Sequence, residues 1–184
     1  MQYIASLTLL MLPAVMLAQG AGPRVSPYLT LDYSVGEVRS EAAYVAGAEL
    51  GAILKQRFTV GLAGYGLANK EAMVPAPGAP AVEPLGFGYG GLRVGYLFGA
   101  TNASLRPVAD LLLGAGQIRA RESERDDRVV VVESSVAMEA NLAHFLRGAL
   151  GVTYRFLSGS DLAGVSDQSL SGFAGRVTLR FGWF

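Results

Sequence analysis

Residues 147–157 read RGALGVTYRFL, and residues 172–184 read GFAGRVTLRFGWF. In the first stretch Leu150, Val152, Tyr154 and Phe156 share one parity, while Gly151, Thr153 and Arg155 share the other. In the second, Phe173, Val177, Leu179, Phe181 and Trp183 oppose Arg176, Thr178 and Arg180. Successive side chains of a β-strand point to opposite faces, so this alternation is the strand signal. Each stretch is one strand with an apolar face and a face that carries every charge.

Working outward, the same period recurs in eight segments: Val25–Gly36, Ala42–Leu54, Arg57–Leu67, Leu85–Phe98, Pro107–Ile118, Val129–Leu142, Arg147–Leu157 and Gly172–Phe184. All exceed the about 5–6 residues of a typical soluble strand. They match the about 9–11 tilted residues that cross a bilayer, with their ends added. Connections after the second, fourth and sixth segments are short, around Lys55-Gln56, Gly99 to Arg106, and Ala143 to Leu146. Those after the third, fifth and seventh are long and polar: Ala68–Pro84, Arg119–Arg128 and Ser158–Ser171. Short turns at one end and long loops at the other are the layout of an outer-membrane barrel. The pattern predicts an all-β fold, an eight-stranded antiparallel up-and-down transmembrane β-barrel.

Composition bears on which face is outside. Acidic and basic residues balance at 15 each, so no general attraction to nucleic acid is expected. Charged residues are 16% of the chain, below the roughly 25% of a soluble domain. A soluble lipocalin-like barrel also alternates, but with its polar face in water and rich in Lys and Glu. This chain has only Lys55 and Lys70, and its polar parity is mostly Gly, Ala, Ser and Thr with scattered charges. That face suits a narrow lumen, where eight strands leave room only for side chains. Apolar-out is therefore the expectation, and a lipid-binding soluble barrel is the alternative.

The inward charges are Asp32, Glu49, Arg93, Asp110, Glu133, Glu139, Arg155, Arg176 and Arg180, five acids against four bases. An unpaired buried ion costs several kcal/mol, so near balance predicts a plugged interior of ion pairs. Arg155 is expected near Glu139 or Glu133. Closure of the barrel brings Asp32 toward Arg176 or Arg180. A gated path for ions or small solutes is the alternative reading of the same residues.

The N-terminus reads as a signal peptide over residues 1–20, with the barrel over 21–184. Leu7 to Leu17 is an apolar core, and Ala18-Gln19-Gly20 offers cleavage after Ala18 or Gly20. No Lys or Arg precedes the core, and an N-terminal anchor is the rival reading. The run is shorter than the roughly 20 residues of a spanning helix.

The stretch Val129–Phe184 resembles the C-terminal half of small outer-membrane β-barrel proteins of the OmpA/OmpX-like superfamily. The residues that carry the likeness are Glu139-Ala140-Asn141-Leu142 before a turn, then Leu146-Arg147, Gly151-Val152-Thr153-Tyr154-Arg155-Phe156, and the ending Leu179-Arg180-Phe181-Gly182-Trp183-Phe184. The earlier residues match only in pattern. The resemblance implies insertion by the barrel-assembly machinery, with Phe181, Trp183 and Phe184 as the assembly signal. One departure stands out. Phe181 and Trp183 lie on one parity while Phe184 shares that of Arg180 and Gly182. Either Phe184 frays past the sheet or a bulge near Gly182 re-phases it.

Catalytic chemistry is hard to place on this chain. It has no Cys, hence no disulfide, thiolate metal site or Cys nucleophile. Its one His, His144, falls in a predicted turn far from the long loops. The run Gly86-Phe87-Gly88-Tyr89-Gly90-Gly91 is no phosphate cradle, because no helix follows. No catalytic, metal or cofactor site is expected. The partners expected are membrane lipid, the assembly machinery and a surface ligand through loops 68–84, 119–128 and 158–171, on a monomer. Four Pro residues, Pro75, Pro77, Pro80 and Pro84, take the first loop out of any ladder.

Overall fold

A computed structural model describes residues 25–38, 41–68, 86–100, 103–119, 126–159 and 171–184. Its strands are β1 (Val25–Val38), β2 (Glu41–Leu54), β3 (Phe58–Leu67), β4 (Gly86–Leu97), β5 (Leu105–Arg119), β6 (Asp126–Ala143), β7 (Leu146–Ser158) and β8 (Gly172–Gly182). Each pairs antiparallel with the next, and β1 pairs with β8 to close the barrel. Closure leaves no sheet edge, so every strand finds a partner on both sides without water. The predicted leader, residues 1–20, and the central parts of the three long loops lie outside the described residues.

The strand boundaries differ from the sequence reading in two informative places. β5 starts at Leu105, before Pro107. Proline is tolerated because the Phe98 amide donates to the Pro107 carbonyl at 2.9 Å, while the bond Pro107 cannot return falls where β4 ends. β6 starts at Asp126, inside the charged run assigned to a loop. Asp126, Asp127 and Arg128 pair with Arg119, Ile118 and Gln117, so the ladder continues through polar residues.

Two turns at the terminal end are tight. The Arg57 amide donates to the Leu54 carbonyl at 3.1 Å, with Lys55 and Gln56 both left-handed at φ 50° and 59°. Hairpin turns of the primed kind need that sign of φ to match strand twist. His144 and Phe145 connect β6 to β7, next to a register shift between Asn141 and Ala143.

Parity sorts the residues by environment. Leu29, Leu31, Tyr33, Leu50, Leu62, Leu92, Leu113, Val136, Leu150, Val152, Phe156, Phe173 and Leu179 are exposed on the outer surface. Asp32, Glu49, Arg93, Glu133, Glu139, Arg155, Arg176 and Arg180 are buried inside. This distribution inverts that of a water-soluble barrel. The interior has layers along its axis. Toward the long loops, Ala43, Val45, Ala63, Tyr65, Phe87, Tyr89, Leu112, Val129, Val131 and Leu157 form an apolar cluster. Toward the turns, Tyr28, Ile53, Leu97 and Val108 form a smaller one. The charged residues lie between and beside them.

Strand crowding explains one Gly pair. Gly91 of β4 faces Gly114 of β5 in register, and a Cβ on either would meet the partner strand's backbone. Glycine marks such close backbone approaches in barrel walls.

Candidate functional site

The lumen holds the candidate residues in two groups. The central group is organised around Arg93 of β4, whose side chain is 2% exposed. Its guanidinium lies 2.9 Å from Glu133, 3.2 Å from Asp110, 3.6 Å from Asp32 and 3.8 Å from Glu49. Arg176 reaches Asp32 at 3.0 Å and Asp110 at 3.1 Å, and donates to the Ser135 hydroxyl at 2.9 Å. Arg155 holds Glu133 at 3.1 Å. Four acids therefore meet three bases in the middle of the barrel.

Tyrosines fill the remaining acceptor positions. The Tyr65 hydroxyl donates to Asp32 at 2.7 Å, that of Tyr89 to Glu133 at 2.8 Å, and that of Tyr28 to Glu49. Thr178 donates to Asp32 at 2.5 Å. Each of these rings also lies beneath a guanidinium. Arg93 is 5.2 Å from the Tyr65 centroid, Arg155 4.9 Å from Tyr89 and Arg180 5.0 Å from Tyr28. A recurring unit results, in which one tyrosine binds a carboxylate through its hydroxyl and an arginine through its face. Arginine suits this role because its planar fork pairs with carboxylates and stacks on rings.

The second group lies toward the turns. Glu139 of β6 pairs with Arg147 at 3.1 Å and with Arg180. Arg106 of β5 stands opposite Glu139 in register and is 2% exposed. Arg147 and Arg106 are lumen residues missing from the inward charges that the sequence predicts. The signal was present: Arg147 has the parity of Arg155, and Arg106 that of Asp110. Arg106 falls in the predicted connection before Pro107, whereas Arg147 opens its predicted strand and is absent from the inward charges named there. The inner tyrosines Tyr28 and Tyr65 were likewise unassigned, because a tyrosine fits either face of such a strand.

At the end of the chain, β8 pairs without a register shift up to Gly182, opposite Tyr28. Trp183 and Phe184 lie beyond the ladder. Trp183 points outward and is 76% exposed. The Phe184 ring instead covers the Arg147 guanidinium, 4.0 Å from its centroid. Phe184 thus lies past the sheet, and no bulge re-phases the strand up to Gly182. His144 sits in the β6–β7 turn, edge-on to Phe145 at 5.0 Å. Among the described residues no group of His, Asp and Glu is arranged to hold a metal ion.

A closed eight-stranded barrel, apolar outside and ion-paired inside, is the fold of the outer-membrane type. Comparison with solved structures agrees. The chain is similar to the N-terminal β-barrel domain of Pseudomonas aeruginosa OprF, with a TM-score of 0.60 at 12% identity, covering 86% of this chain and 97% of that one. It is also similar to Neisserial surface protein A, NspA, with a TM-score of 0.55 at 10% identity, covering 85% of this chain and 96% of that one. Both are eight-stranded outer-membrane barrels of the OmpA-like kind. No protein-family model matches the chain, and no curated protein matches it.

Proposed function

We propose that this protein is an outer-membrane barrel whose interior is a structural plug and whose work is done at its surface. The observation that carries this reading is the central ion-pair group, in which Arg93 lies within 4 Å of four carboxylates and each has a further partner. A salt-bridged, tyrosine-packed section of this kind supports the barrel and leaves no open aqueous bore. The apolar layer above it adds further packed side chains to the bore. The outward Leu, Val and Phe side chains favour lipid contact over the soluble lipocalin-like alternative.

Residues 1–20 serve as the cleaved export signal, and the strand ending at Phe181, Trp183 and Phe184 is read by the barrel-assembly machinery. The loops at 68–84, 119–128 and 158–171 offer the surface for a ligand, and the barrel acts as a monomer without catalysis or cofactor. Two measurements test this. Heat-modifiable migration in an outer-membrane fraction is expected, and a soluble periplasmic location refutes the membrane reading. Purified protein in planar bilayers is expected to give no steady conductance. Stable large steps would replace the plug with the narrow-pore alternative.

A further inference from the structure

We propose that the turn end of the barrel, at the β2–β3 hairpin, is a contact for anionic phospholipid headgroups. The inference rests on the membrane reading above, and adds the class of lipid and the end of the barrel that takes it. The distribution of charge along the axis points to it. Of the 15 acidic residues, Asp32, Glu49, Asp110, Glu133 and Glu139 are the lumen carboxylates. All the others fall within residues 37–41, 68–84, 119–128 and 158–171, at the loop end. The turn-end connections 55–57, 98–104 and 144–145 hold no Asp or Glu, nor do residues 1–24 and 183–184. They hold Lys55 and Arg57 instead. Arg24, just before β1, is a third cation in the sequence, so this end stays positive even against the main-chain carboxylate of Phe184.

The two cations sit at the edge of the lipid-facing belt. Lys55 and Gln56 take the left-handed positions of the turn, and the Arg57 amide closes it. Exposed Phe58 follows, its ring edge-on to Tyr96 at 5.0 Å, and Tyr96 is edge-on to exposed Phe98 at 4.8 Å. Aromatic side chains gather in this way where the apolar band of a barrel meets the headgroups. The Arg57 guanidinium donates to the Tyr96 hydroxyl at 3.3 Å, which holds it against that band at headgroup depth. Lys55 and Arg57 are both exposed, and neither is ion-paired among the described residues. A lipid phosphate is the counter-charge that the membrane itself brings to this level. Each cation near such a surface adds about fivefold in affinity. The loop end offers no comparable attraction, since its exposed Arg128 directly follows Asp126 and Asp127.

The test uses the refolded full chain in phosphatidylcholine vesicles with a rising fraction of phosphatidylglycerol, and reads the urea midpoint from Trp183 fluorescence. A lipid that binds only the folded barrel raises that midpoint as its fraction grows. The wild-type midpoint is expected to rise with phosphatidylglycerol. The rise is expected to vanish in about 1 M sodium chloride, where the screening length falls to about 3 Å. Lys55→Gln and Arg57→Gln are each expected to weaken the apparent affinity for phosphatidylglycerol about fivefold, and the double variant to erase the response. Arg57→Lys keeps the charge and is expected to keep most of the response. Arg128→Gln, at the loop end, is expected to respond as wild type does. No rise in the wild type, or an equal rise in the double variant, overturns the proposal. So does a loss in Arg57→Lys as large as that in Arg57→Gln, which assigns the effect to the Tyr96 contact and not to charge. A chain that folds into phosphatidylcholine and ignores phosphatidylglycerol refutes this contact alone, whereas one that folds into neither lipid refutes the membrane reading with it.

Discussion

Replacing Arg93 with Met removes the cation at the centre of the lumen while keeping an unbranched side chain of comparable length. Four carboxylates lie 2.9–3.8 Å from that guanidinium, in a site where the arginine is 2% exposed. After the change Arg155 still holds Glu133, and Arg176 still holds Asp32 and Asp110. Glu49 loses its ion pair and keeps the Tyr28 hydroxyl. The central excess of negative charge grows from one to two. Removing one partner of a buried pair costs about 3–5 kcal/mol, because the survivor remains desolvated. That is a large share of the about 5–15 kcal/mol that holds a typical domain together. Trp183, the only tryptophan, is 76% exposed on the outer surface and reports the membrane environment by its fluorescence. Urea unfolding in lipid vesicles, followed at Trp183, is expected to show a loss of about 3–5 kcal/mol for Arg93→Met. Arg93→Met with Glu49→Gln is expected to lose less than the sum of the single changes, by about 1–3 kcal/mol, since both remove the same pair. A loss under about 1 kcal/mol for Arg93→Met, or strict additivity in the double variant, would refute the plug as a source of stability.

Three further outcomes follow from the geometry. Leu62 is 70% exposed near the middle of β3, so Leu62→Arg is expected to destabilise the barrel in vesicles by about 2–4 kcal/mol, whereas a small effect would argue against lipid on that face. Gly91→Val places a branched side chain against the backbone of Leu113 and Gly114, and a clear drop in the unfolding midpoint is expected; an unchanged midpoint would show that β4 and β5 can separate there. Deleting Phe184 is expected to lower outer-membrane yield, and an unchanged yield would sink its role as an assembly signal. The same deletion uncovers the Arg147 guanidinium on which that ring lies.

The positions of the eight strands were legible because period-two alternation is a local property. It needs no knowledge of partners, and charge on one parity marks the face that avoids lipid. Leu150, Val152 and Phe156 declared their face as soon as Thr153 and Arg155 were set against them. Boundaries were harder. The predicted fifth strand opens at Pro107, yet the ladder begins at Leu105, because the end of β4 absorbs the missing donor. Arg106 was lost with that cut, and Arg147 was left at the opening of its strand. Both lie on lumen parity, and carrying the alternation one residue back from Pro107 takes in Arg106, while Arg147 already belongs to its strand.

The sequence by itself determined the fold class, the number of strands, the inward face and the chemical type of its side chains. Those follow from backbone geometry and from the high cost of charge in lipid. Only the tertiary structure decided which charges meet. Arg93 on β4 reaches Asp32 on β1, and Arg176 on β8 reaches Asp110 on β5, across the bore and between strands that are not neighbours. Such contacts depend on how closure and register align the strands in height, which no local pattern encodes. The same cause divides the lumen charges into a central group around Arg93 and a turn-side group around Glu139.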